Sequence, residues 1–232
     1  MDILSLSKVI EKGVFEILMW ILFFPLTLIR MIFRPRATLA YVRQEVARAD
    51  LEDGDDDVSF ESAVRPALFL FLAVVIAAVL VPLTPEEIAE YQQSDLGKAL
   101  LGSWISMVAY NTVIFAIMPL TAAVLLDLLT PGRMTRQTLR LPFDQQCYIG
   151  APSMFCLMAL ISSVPVLGAG PITVSLAILM IWLVVVEYMF FRDNSSMTRW
   201  TCVTLSFATL AIGMILILIA TALTTGFGLG DV

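Results

Sequence analysis

The chain contains no histidine. That absence removes imidazole general bases, His-containing catalytic triads and every His-liganded metal site. Charge is scarce as well: 15% of the residues are Asp, Glu, Lys or Arg, against about a quarter in soluble domains. Base is in deficit, with 14 Lys and Arg against 20 Asp and Glu and a net charge of −6, which argues against a nucleic-acid partner. Cysteine is limited to Cys147, Cys156 and Cys202. The first two lie about 13 Å apart along one expected helix and the third begins another, so free thiols are expected and no C-x-x-C or metal chemistry. No Walker loop, G-x-S-x-G elbow or glycosidase-like carboxylate pair is present, and neither a catalytic residue, a cofactor nor a bound metal is expected.

What is abundant is apolar: 59% of the 232 residues, gathered in long uninterrupted runs. A helix crossing roughly 30 Å of hydrocarbon needs about 20 of them. The runs predict an all-α integral membrane protein with five transmembrane helices at 66–83, 99–129, 147–167, 171–191 and 200–225. Strands are excluded because the runs do not alternate. The second run is longer than one perpendicular crossing and predicts a kink at Pro119. The third and fourth are separated only by Gly168, Ala169 and Gly170, which predicts an antiparallel hairpin.

Thirteen of the fourteen basic residues fall at or before Arg65 or in the loops after the second and fourth spans, leaving Lys98 alone on the other side. Basic short loops stay cytoplasmic. The N-terminus is therefore expected in the cytoplasm, the C-terminus outside, and the protein in a bacterial inner membrane. Residues 1–65 form the cytoplasmic region and 66–232 the membrane domain. Segment 13–33 is nearly long enough to be a sixth span, but Glu16 and Arg30 leave 13 uncharged residues between them and Pro25 interrupts these. It is expected to lie in the interface, or to dip in and return.

Leu39, Val42, Val46 and Ala49 recur at helical spacing and predict an amphipathic surface helix over 36–51. Its arginines and those just before it, Arg30, Arg34, Arg36, Arg43 and Arg48, are candidate contacts for anionic headgroups or a partner, beside their ordinary role of setting topology. The strip 50–61 carries seven carboxylates and no base. Counted from Asp53, the position where a calcium loop needs glycine is Val58, so the strip is expected to be a solvated acidic linker or a docking strip for a basic partner.

Polar groups inside apolar runs are functional suspects. Asn111, Asp127 and Glu187 qualify. Asp127 and Glu187 sit near the same ends of their helices, where they either approach one another or pair with neighbouring arginines (Arg133 or Arg136, and Arg192 or Arg199). Asn111 suits interhelical packing or a polar route beside Pro119. Gly102 to Ser106, Ala73 to Ala77 and Ala159 to Ser163 supply the spacing of small residues that close helix contact uses.

The stretch FDQQCYIGAPSMFCLMALISSVPVLGAGPITVSLAILMIWLVVVEY places Gln and Tyr before a helix, Pro152 in its first turns, Val164-Pro165, and then Leu167-Gly168. With RPRATL at 34–39 and Pro66 opening the first span, this resembles the Yip1-domain family, departing from it in the GAGP turn and the acidic strip. The resemblance implies a five-helix membrane protein whose cytoplasmic N-terminal region, in eukaryotic relatives, serves membrane trafficking and GTPase-linked partner binding. It carries no catalytic residues. The expected function is a non-enzymatic scaffold or accessory subunit in contact with membrane lipids and another membrane or cytoplasmic protein, as a homo- or hetero-oligomer. The alternatives are a small permease or channel subunit and, more remotely, a lipid-modifying enzyme.

Overall fold

The computed structural model describes residues 3–51, 63–81 and 95–225, and every regular element among them is helical. In chain order these are α1 (Ile3–Phe33), α2 (Pro35–Leu51), α3 (Pro66–Leu80), α4 (Asp95–Leu101), α5 (Trp104–Leu129), α6 (Arg136–Ser162), α7 (Val164–Leu167), α8 (Ala169–Asn194) and α9 (Arg199–Thr225). Proline sits in the first turn of α2 and of α3, where its missing N–H has no intrahelical partner to lose.

Helix α6 is the hub, packing against α1, α2, α3, α5 and α8, while α9 closes the other side against α5 and α8. Two glycines set the closest approaches. A Cβ on Gly150 of α6 would lie 3.3 Å from the Pro119 ring of α5, and one on Gly213 of α9 would lie 2.8 Å from Met118 Cγ, also on α5. Tyr110 of α5 meets Thr224 of α9, hydroxyl to hydroxyl, at 2.8 Å. Together, Met118 with Gly213 and Tyr110 with Thr224 set an antiparallel α5–α9 register. Between apolar helices in lipid such packing is the cohesive force. Gly213→Ala is therefore expected to destabilise by about 1–3 kcal/mol through overpacking. Adding Met118→Ala should make the double variant more stable than the two separate losses predict, measured by thermal unfolding in detergent.

Large apolar side chains such as Val113, Ile178, Ile181 and Leu218 are exposed on the outside of the bundle. Four described helices are long and apolar enough to cross a membrane: Gly13–Phe33, Trp104–Leu129, Gly170–Asn194 and Arg199–Thr224. Three of these are expected spans. The fourth is the segment expected to lie in the interface or to re-enter, and it runs as one uninterrupted helix through Pro25, so it does not turn back on itself. The first expected span, 66–83, is a helix of 15 residues over its described part.

The third expected span, 147–167, begins eleven residues earlier, at Arg136, and ends at Ser162. Pro165 opens the separate turn α7, and Gly168, at φ +73°, divides it from α8. The hairpin turn thus lies at Ser163–Gly168 instead of the three residues 168–170. The surplus length of the second span is absorbed by a break at Gly102–Ser103, where the Ser103 hydroxyl accepts from the Ser106 N–H at 3.1 Å and caps α5. Helix α5 continues through Pro119. Of the small-residue pairs, Ala73 and Ala77 are buried. Most of the acidic linker lies outside the described residues.

Candidate functional site

The first turns of α6 carry a cluster of buried polar side chains that bond to neighbouring helices. Thr135 starts the helix with a capping box: its hydroxyl accepts from the Thr138 N–H at 3.1 Å, and the Thr138 hydroxyl accepts from the Thr135 N–H at 3.0 Å. Two to three turns further on, Gln145, Gln146, Cys147 and Tyr148 are all at most 2% exposed. Four consecutive buried residues face every side of a helix, so α6 is enclosed at this level.

Gln145 ties three helices together. Its Nε2 donates to the Leu39 carbonyl of α2 at 2.8 Å, and its Oε1 accepts from Asn194 Nδ2 of α8 at 2.8 Å. Asn194 Oδ1 in turn accepts from Arg43 Nη2 of α2 at 3.2 Å, and the same nitrogen donates to the Asp193 carbonyl at 2.9 Å. Arg36, two turns earlier on α2, grips the Asp193 carboxylate through Nε and Nη2 at 3.1 and 3.0 Å. The hydrogen bond and charge of Asp193 raise the Arg36 pKa further above its ordinary value. Leu39, Val42 and Val46 are buried beneath these bonds, which makes α2 a strap across the end of the bundle where the loop arginines also lie, the basic end.

A second set of bonds holds α1 and the start of α3. The Tyr148 hydroxyl donates to the Val64 carbonyl at 2.5 Å, and its ring lies 5.3 Å from Phe69, which in turn lies 5.3 Å from Phe24 of α1. The Val64 N–H donates to the Thr27 hydroxyl at 3.4 Å, and Trp182 Nε1 of α8 donates to the Ile32 carbonyl at 3.1 Å. Phe24 and Thr27 meet the start of α3, while Ile32 meets Trp182 of α8, so α1 is held by more than one neighbour.

Of the five candidate arginines, Arg36 and Arg43 bond to α8, and Arg48 pairs with Glu45 on its own helix at 3.2 Å. Arg30 and Arg34 line a hollow of about 230 Å³ with Thr27, Thr38 and Tyr41, at the corner between α1 and α2. Glu187 is 2% exposed and accepts from Gln146 Nε2 at 2.9 Å, in place of a bond to a neighbouring arginine; Arg192 donates instead to the Met197 carbonyl at 2.8 Å.

Asp127 lines a larger hollow, about 400 Å³, with Arg43, Arg133 and Arg140. Neither Asn111 nor Glu187 lines that hollow, and Asn111 stands sixteen residues up α5 from Asp127, about 24 Å along the axis. The three polar candidates thus occupy separate places. Cys147 and Cys202 are buried free thiols, and Cys156 is a half-buried one. Apolar patterning does not single out Gln145 and Gln146; the signal that announces them is the T-x-x-T cap at Thr135, which extends the helix backward under both glutamines.

No family model matches the chain, and no curated protein or solved structure shows significant similarity to it.

Proposed function

We propose that this chain is a non-enzymatic membrane scaffold, an accessory subunit that offers a partner protein a fixed surface on the cytoplasmic side of the bilayer. The observation that carries this reading is the strap. A helix fastened by buried Leu39, Val42 and Val46 and by bonds to Gln145, Asp193 and Asn194 is held still, and a still surface lowers the ordering cost of binding. Its outward residues, Ala37, Ala40, Gln44 and Ala47, are exposed and recur at spacings of three and four, the pattern a partner helix packs against. The acidic strip at 50–61 follows directly and suits a basic partner. The resemblance to the Yip1-domain family points the same way. Transport through Asn111, Asp127 and Glu187 has less support, because the hollow beside Asp127 includes neither of the others.

Deleting 30–62 is a poor test, since it removes core residues of the bundle. A photo-crosslinking amino acid at position 40 or 44 leaves the core intact. In cells it is expected to yield one discrete protein adduct at both positions, with at least about tenfold less at Leu218, which is exposed on α9. Equal yields at all three positions contradict the proposal.

A further inference from the structure

We propose that the 400 Å³ hollow between α2, the end of α5 and the start of α6 is a binding site for a phosphate-bearing, hydroxylated lipid headgroup. Three guanidiniums line it, Arg43, Arg133 and Arg140, with Asp127 the one carboxylate in the lining and Asp144, a turn along α6, offsetting part of the Arg140 charge from outside it. They come from two stretches of chain, Arg43 on α2 and Arg133 with Arg140 around the start of α6, so it is the fold that brings the α2 guanidinium to the basic run at 133–140. Guanidiniums are the side chains best shaped to grip phosphate oxygens in pairs. Arg43 is already steered by the Asp193 carbonyl and Asn194 Oδ1, both on one Nη, which leaves its other nitrogens to donate to a ligand.

The backbone adds to the same field. Gln137 and Thr138, in the first turn of the 27-residue α6, line the hollow, and the N-terminal end of a long helix favours an anion. Two carbonyls at the opposing end of α5 are satisfied locally: the Thr130 N–H donates to the Asp127 carbonyl at 3.1 Å and the Thr130 hydroxyl to the Leu126 carbonyl at 2.8 Å.

Asp127 sharpens the class of ligand. A carboxylate repels bare phosphate but accepts hydrogen bonds from hydroxyl groups, so a phosphodiester carrying a polyol fits these walls better than phosphatidic acid does. Beside the hollow, Leu128 and Leu129 are exposed at the end of α5, where acyl chains attached to the headgroup would find apolar contact.

The test is lipid retention by the purified full-length protein, measured by native mass spectrometry with phosphatidylglycerol, phosphatidic acid and phosphatidylcholine. Phosphatidylglycerol is expected to be retained at least about tenfold better than phosphatidylcholine. Arg133→Ala, at an exposed position, should reduce that preference several-fold with no change in melting temperature. Arg199→Ala, an exposed arginine that does not line the hollow, should leave it unchanged. Asp127→Asn should narrow the gap between phosphatidylglycerol and phosphatidic acid. Glycerol 3-phosphate at millimolar concentration separates the two sources of the headgroup: displacement of the lipid identifies a soluble polyol phosphate as a sufficient ligand, and no displacement identifies the anchored lipid. A wild-type protein with no preference over phosphatidylcholine, or an Arg199→Ala loss as large as that of Arg133→Ala, overturns the proposal.

Discussion

Replacing Tyr148 with alanine is expected to lower the stability of the bundle by about 3–5 kcal/mol, the usual cost of deleting a fully buried aromatic side chain. The ring is 0% exposed and lies at the centre of contacts joining α6 to α3 and, through Phe69, to α1. Its hydroxyl also supplies the hydrogen bond to the Val64 carbonyl, just ahead of α3. Tyr148→Phe separates the two contributions. It keeps the ring, leaves one buried acceptor without its donor, and should cost about 1–3 kcal/mol. Thermal unfolding in a single detergent measures both, and equal losses for the two variants would show that the ring packing contributes nothing.

Gln145→Ala is the second large effect. It removes the donor to the Leu39 carbonyl and the acceptor for Asn194 Nδ2 in one step. Asn194 Nδ2 keeps its bond to the Phe190 carbonyl, so the cost falls mainly on the buried Leu39 carbonyl, and a loss of about 1–3 kcal/mol is expected. The effect should also be local: α2 loosens first, because Gln145 is the side chain that bonds to its backbone. Gln145→Glu should not rescue, since it replaces the donor to Leu39 with an acceptor and buries a charge. Accelerated amide exchange in α2 with little change in α9 is the pattern that distinguishes undocking of the strap from general unfolding. Uniform acceleration across all helices contradicts it.

The contrast between Leu39 and Gln145 explains which parts of this fold are legible in sequence. Leu39, Val42 and Val46 repeat at helical spacing, and local periodicity is what a single sequence displays; all three are buried where the pattern puts them. The apolar runs of α5, α8 and α9 are legible for the same reason. Gln145 falls outside the expected span because Arg136, Arg140 and Asp144 dilute the apolar signal and Pro142 interrupts it. The T-x-x-T cap outweighs both, and proline near a helix start is tolerated more easily than one at its centre.

Pairings across the chain are another matter. Arg36 and Asp193 are 157 residues apart, and nothing local in either sequence neighbourhood points to the other. The five arginines can be recognised as a group, but that Arg36 and Arg43 are the two that reach α8 depends on where α8 ends. Glycine shows the same limit: Gly150 and Gly213 mark the tightest contacts with α5, while the pairs suggested by spacing at 102–106 and 159–163 include partly exposed residues.

Both proposals depend on α2 being fastened to the basic end of the bundle, since its outward face is the surface offered to a partner and its Arg43 forms one wall of the headgroup hollow. The Arg36–Asp193 pair is too exposed to hold the strap, with 73% of the Arg36 side chain open to solvent, and salt screens such pairs. The buried leucine and valines and the Gln145 bond must therefore hold it. Hydrogen–deuterium exchange of the full-length protein in lipid nanodiscs tests this directly. The account predicts that the amides of residues 39–46 exchange as slowly as those of α6 and remain protected at high salt. Exchange over 39–46 at the rate of an isolated surface helix, or protection that disappears with salt, contradicts it.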